Sequence, residues 1–156
     1  VLKREMKADY HAVPHAVFSH PEVAGVGMRE KEAVAKLGGE RVLVGIQRYE
    51  DTARGMAMNS RDHFVKVIVD GETEAILGAH IVGPHASILI QEIINLMYTK
   101  SRSWRPIRRG MHIHPWLSEV VERAFGGLRP VTPPPHHHHH HPEHTRHTHT
   151  HHHEGH

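Results

Sequence analysis

Residues 63–83 read HFVKVIVDGETEAILGAHIVG: two runs rich in β-branched and aromatic residues, joined by Asp70-Gly71-Glu72-Thr73. Runs of this kind on either side of an Asp-Gly turn form a hairpin. The reading places strands at 63–69 and 74–82. Strands joined by so short a turn are antiparallel, because a parallel pair needs a crossover of a dozen residues or more. With helical spacing elsewhere in the chain, the class is α+β: an antiparallel sheet flanked by helices.

The segments upstream extend the sheet. Ala16-Val17-Phe18 is a short strand between Pro14 and Ser19-His20-Pro21, and Val23–Val26 is a second, ended by Gly27. Arg29–Leu37 has helical spacing at Ala33, Val34 and Leu37 and stops at Gly38-Gly39, a C-terminal glycine signal. Val42, Val44 and Ile46 alternate with Leu43, Gly45 and Gln47, a strand running to Tyr49. Ala53–Met58 suits a strand or a bend.

Downstream of the hairpin the pattern turns helical. Pro84 closes the sheet region and Ser87 is placed to cap a helix reaching Thr99. Ile88, Leu89, Ile90, Ile93, Ile94, Leu96 and Met97 cover nearly its whole circumference, so burial on two sides is expected. The sheet is one side; a second copy of the chain is the simplest other, with a central helix of a monomer as the alternative. A last helix, Leu117–Phe125, ends at Gly126-Gly127. Between the two stand Trp104, Pro106 and arginines 102, 105, 108 and 109, a solvated helix face or a phosphate or acidic-partner site.

Composition limits the function. The chain has 156 residues, 38% of them hydrophobic, enough for one modest core. It has no cysteine, so it carries no disulfide, thiolate metal site or thiol nucleophile of its own. No apolar run approaches the ~20 residues of a membrane span, and VLKREMKADYHAVP is too polar for a signal peptide. A soluble, cytoplasmic protein without a membrane is expected. A formal net charge of +2 gives no electrostatic reason for a nucleic-acid partner.

Composition breaks after Leu128. Residues 129–156 read RPVTPPPHHHHHHPEHTRHTHTHHHEGH, with Val131 as the sole aliphatic residue. A segment with so little to bury is expected to be a disordered Pro/His-rich tail, leaving 1–128 as the folded domain. It holds 13 of the 21 histidines: His136, His137, His138, His139, His140, His141, His144, His147, His149, His151, His152, His153 and His156. Closely spaced neutral imidazoles bind Ni²⁺, Cu²⁺, Zn²⁺ or Co²⁺ with little geometric choice, so these are candidate metal ligands.

Residues 111–119, MHIHPWLSE, carry the chemistry-bearing residues of the folded part. His112 and His114 on an extended segment, with Glu119, offer three metal ligands. His114 with Glu119 equally offers an acid/base pair, and local hydrogen bonding of structural histidines is the third reading. Ser118 lacks a nucleophile elbow, and Gly25-Val26-Gly27 lacks the third glycine of a dinucleotide fingerprint.

Three stretches together, FSHPEVAGVGMREKEA, ILGAHIVGPHASILIQEI and HIHPWLSEVVERAF, resemble the C-terminal dimerisation domain of the FAD-dependent pyridine nucleotide-disulfide oxidoreductases, with dihydrolipoamide dehydrogenases and mercuric reductases nearest. The resemblance covers residues 8–128. It implies an antiparallel sheet with helices on its faces, forming a two-fold interface and so a homodimer. It implies further that His114, before a cis Pro115, reaches the flavin site of the partner subunit, where it is the acid/base for a redox-active cysteine pair. Glu119 orients it, and His112 is structural. The chemistry suits the residue: dithiol–disulfide exchange needs a proton acceptor working near neutrality, and imidazole is that group. FAD and NAD(P), with their domains and the cysteines, belong by the same resemblance to a longer parent chain; this chain alone is expected to be catalytically silent. The other reading is a free-standing homodimeric module whose His-rich tail binds or stores transition metals.

Overall fold

The computed structural model describes residues 7–132. Among these residues lie six strands: β1 (His15–Val17), β2 (Val23–Gly27), β3 (Val42–Arg48), β4 (Phe64–Asp70), β5 (Ile76–Val82) and β6 (Arg129–Pro130). Five helices accompany them: α1 (Glu30–Leu37), α2 (Ala53–Ala57), α3 (Ala86–Met97), α4 (Arg105–Arg109) and α5 (Ser118–Gly126). The strands form one sheet in the order β1-β2-β5-β4-β3-β6, every neighbouring pair antiparallel. The α+β class and the hairpin at its centre are as the sequence implies. No helix of the described residues is long and apolar enough to cross a membrane.

Period-two alternation along the strands divides the two faces. Val65, Val67, Ala79 and Ile81 point to one face, where they form the main core with Leu89, Ile90 and Ile93 of α3 and Val120, Val121, Ala124 and Phe125 of α5. Ile68 and Val42 point to the other, where Ala33 of α1 covers them. α5 lies close on β3 because Gly45 lacks a side chain: a Cβ there would sit 2.0 Å from the Ala124 carbonyl oxygen.

The hairpin turn is held by one carboxylate. Asp70, 5% exposed, accepts hydrogen bonds from Arg41 Nε and Nη2 (2.8 and 2.7 Å), the Glu72 amide (3.0 Å) and the Thr73 hydroxyl (2.7 Å). The Arg41 hydrogen bond, with the Thr73 and Glu72 donors, holds its carboxyl well below the ordinary carboxylate range against the opposing effect of burial. A depressed folded pKa contributes stability above the unfolded value, near 3.8, and loses it as pH falls toward the folded one. Asp70→Asn is therefore expected to destabilise the fold by about 1.5–3 kcal/mol at neutral pH. In urea titrations the gap from the wild type should shrink as pH is lowered from about 4 toward 2; an equal gap at both ends would contradict the assignment.

Four local readings are corrected. Ala53–Met58, left between strand and bend, holds the helix α2, capped by the Thr52 hydroxyl, which accepts from the Gly55 amide at 3.2 Å. Ser87 does not cap α3: the cap position is His85 in the left-handed region (φ 61°), and the Ser87 hydroxyl donates to Glu22 at 2.9 Å instead. α3 is not apolar all round, since exposed Gln91 and Asn95 bond each other along its outer side at 2.9 Å. Its sheet-facing side buries Leu89, Ile90, Ile93, Ile94 and Met97, while Ile88 remains 68% exposed. The fold also runs past Leu128: β6 pairs with β3, the Val131 amide bonds the Val42 carbonyl at 3.0 Å, and Val131 packs beside α1. One aliphatic residue and a free strand edge suffice to hold residues 129–132. The remainder of the His-rich segment, 133–156, lies outside the described residues.

Candidate active site

The segment carrying His112 and His114 runs from Gly110, which ends α4 in an extended conformation, to Leu117, 1% exposed, which anchors the start of α5 in the core. The His114–Pro115 peptide is cis, as the resemblance implies. Beyond it the chain turns into α5 and brings Glu119, in that helix's first turn, back beside the imidazole. His114 Nδ1 lies 2.9 Å from Glu119 Oε1 and 3.1 Å from Oε2. A carboxylate only accepts, so Nδ1 carries the proton and the lone pair lies on Nε2. The ring is 65% exposed on its side chain and the carboxylate 14%. The imidazole is thus held at Nδ1, while Nε2 has no hydrogen-bond partner among the described residues.

Glu119 is itself well supported. The Trp116 amide donates to Oε2 at 3.3 Å, and Arg123, one helical turn on, stands 3.9 Å from Oε1. The His114 hydrogen bond holds its carboxyl below the ordinary range, with smaller contributions from the His114 charge, Trp116 and Arg123, against partial burial. A position in the first turn of a helix favours the same anionic state. Arg54 of α2 stacks on the Trp116 ring, 4.3 Å from its centroid, and packs the turn from outside.

His112 takes a different partner. Its Nε2 lies 3.4 Å from Glu92 Oε2 on α3, and its Nδ1 is buried without a hydrogen bond. Burial pushes the Glu92 carboxyl up, opposed by the His112 charge and hydrogen bond. This contact ties the loop to α3, in keeping with a structural His112. The three-ligand metal reading fails: His112 and His114 turn to different carboxylates, and among the described residues no group of three or more His, Cys, Asp or Glu side chains could hold a metal ion. The arginine cluster also disperses, with Arg105 paired to Glu74 and Arg108 to Glu122. The candidate ligands from His136 to His156 fall outside the described residues.

The positions that sequence reasoning missed are Glu92, Arg54 and Trp116. Trp116 and Arg123 had a local signal, three residues before Glu119 and four after it; Glu92 and Arg54 reach the site only through the fold. Met111, Ile113 and Trp116, all exposed, flank His114 with apolar surface.

The sequence profile of the pyridine nucleotide-disulphide oxidoreductase dimerisation domain matches residues 13–125. The chain belongs to this family. Mycothione reductase of Mycobacterium tuberculosis is 45% identical over 121 residues, 78% of this chain and 26% of the relative. Dihydrolipoyl dehydrogenase 2 of Haloarcula marismortui is 40% identical over 121 residues, 78% of this chain and 25% of the relative. Among solved structures, LpdA of Mycobacterium tuberculosis superposes with a TM-score of 0.63 at 26% identity, over 72% of this chain and 24% of that one. The HOCl-induced flavoprotein disulfide reductase RclA of Escherichia coli gives 0.65 at 27%, over 74% of this chain and 26% of that one. The chain thus spans about a quarter of the length of the curated relatives it matches.

Proposed function

We propose that this domain is the interface part of an FAD- and NAD(P)-dependent disulfide reductase of the dihydrolipoyl dehydrogenase or mycothione reductase kind. Two copies pair, and each supplies His114 and Glu119 to the flavin and disulfide site of the other. The observation that carries this is the His114–Glu119 pair itself, with Nδ1 bonded at 2.9 Å inside the domain and Nε2 left outside it. The chain has no cysteine, so the thiols that such a base serves lie in another segment.

The residues present fit a bound flavin nearby: an exposed imidazole whose Nε2 has no partner among the described residues, next to Pro115, stands among exposed apolar side chains. When bound, FAD carries electrons between the pyridine nucleotide and the disulfide. His114 Nε2 takes the proton of an attacking thiol and returns one to the departing thiolate; Glu119 keeps the tautomer and stabilises the imidazolium. The exposed apolar residues Phe18, Ile88, Met111 and Ile113 suit a surface that another subunit covers.

Exchange of subunits tests the arrangement in the parent enzyme. One protomer carries the cysteine pair replaced by serine, the other His114→Gln; each homodimer is inactive in disulfide turnover. If His114 acts across the interface, the mixed dimer contains one intact site and regains about half the wild-type rate, as expected for one competent site of two. A mixed dimer no more active than its parents would place His114 in its own subunit's site and defeat the proposal.

A further inference from the structure

We propose that His15 and His80 form a two-histidine site for a late first-row divalent metal ion such as Zn²⁺, on the sheet face that α1 partly covers. Gly25 lies opposite His15 on β1 and opposite His80 on β5, so the three residues form one row across β1, β2 and β5. The glycine leaves a gap that both rings enter. A Cβ on Gly25 would stand 2.8 Å from His15 Nε2 and 3.0 Å from His80 Nδ1. Two atoms that close to one point are no more than about 6 Å apart. Ligation by two imidazoles at ~2.0–2.1 Å each needs a somewhat smaller gap, which rotation of the exposed His15 side chain supplies.

The tautomer suits a ligand. His80 Nε2 lies 3.2 Å from the Met28 carbonyl oxygen, so Nε2 carries the proton and donates, leaving the lone pair on Nδ1, the atom over Gly25. A metal-bound histidine ordinarily donates its other N–H to a carbonyl or carboxylate in this way. Nearby cations are partly neutralised: Lys66 pairs with Glu30 at 2.5 Å and Arg29 with Glu32 at 2.7 Å. His15 is exposed, so solvent water reaches its ring to complete the coordination shell. With two protein ligands the site is selective by donor type and weaker than a closed structural zinc site. Its effect is to clip the short edge strand β1 to β5 across β2.

The test uses the 156-residue chain with the 13 histidines after Thr132 replaced by glutamine, which removes their competition for metal. Zn²⁺ is titrated while NMR follows the His15 and His80 rings and the Gly25 amide. One saturable event at these signals is expected, with a raised thermal midpoint. His15→Ala removes an exposed side chain and should leave the fold intact while weakening zinc by about tenfold or more, the scale on which even outer-shell partners act. Gly25→Ala keeps both ligands but forces the rings apart, and should weaken zinc as well. Unchanged affinity in His15→Ala, or silent His15 and His80 signals at excess zinc, would overturn the site.

Discussion

In the disulfide reductase proposed to carry this domain, His114→Gln is expected to lower disulfide turnover by about 10²–10⁴-fold, the range over which a positioned acid/base contributes. Glutamine keeps a polar group of similar reach but cannot exchange a proton near neutrality. Nucleotide-dependent reduction of the flavin should be nearly unaffected, because the lost step is proton transfer at the thiols. Glu119→Gln should fall between the wild type and His114→Gln, and should shift the pH profile of the reaction, which a merely structural role would not do. A second readout lies in the isolated chain. The His114 hydrogen bond is the largest influence holding the Glu119 carboxyl down, so in His114→Gln its titration should move back up toward 4.5. The sign follows from linkage: a depressed carboxylate stabilises the fold above its unfolded pKa, and that part is lost as pH falls through the folded value. An unshifted Glu119 titration, or full turnover in His114→Gln, would remove the acid/base assignment.

Gly45→Val should destabilise the domain by about 3 kcal/mol, toward the upper end of overpacking effects. The first new carbon would lie 2.0 Å from the Ala124 carbonyl oxygen and 3.3 Å from Val67 Cγ2, so α5 would have to lift from β3. Lifting α5 loosens Val120, Val121, Ala124 and Phe125 together, since all four are buried against the sheet. It also displaces Glu119, carried on the first turn of the same helix. A misplacement near 1 Å costs about 10²-fold in well-aligned chemistry. Turnover should therefore fall in this variant even below its unfolding temperature. Denaturant unfolding of Gly45→Val within about 0.5 kcal/mol of the wild type, the scatter of neutral substitutions, would show that α5 has slack the packing does not reveal.

Much of this molecule was legible in the residues themselves. Alternation along 63–69 and 74–82, with Asp70-Gly71 between, determined the hairpin and with it the antiparallel class, because period-two patterning and turn chemistry act locally. The spacing from His114 to Glu119 left three readings open, and the family resemblance singled out the pair; the turn into α5, which returns the chain on itself within five residues, brings the two side chains together. Other features were settled by tertiary contact. Arg129–Thr132 joined the sheet because β3 offered a free edge, which no count of aliphatic residues reveals. His112 chose Glu92, twenty residues away, over the nearer Glu119, because α3 packs beside its loop. Ser87 left the helix cap for Glu22, sixty-five residues away in sequence, where a carboxylate was within reach. Gly25, read only as part of an incomplete glycine motif, became the gap between two imidazoles once β1 and β5 were laid on either side of β2. Sequence distance governs turns and short helical pairs, whereas partners across a sheet are chosen by register, and register is a property of the assembled fold.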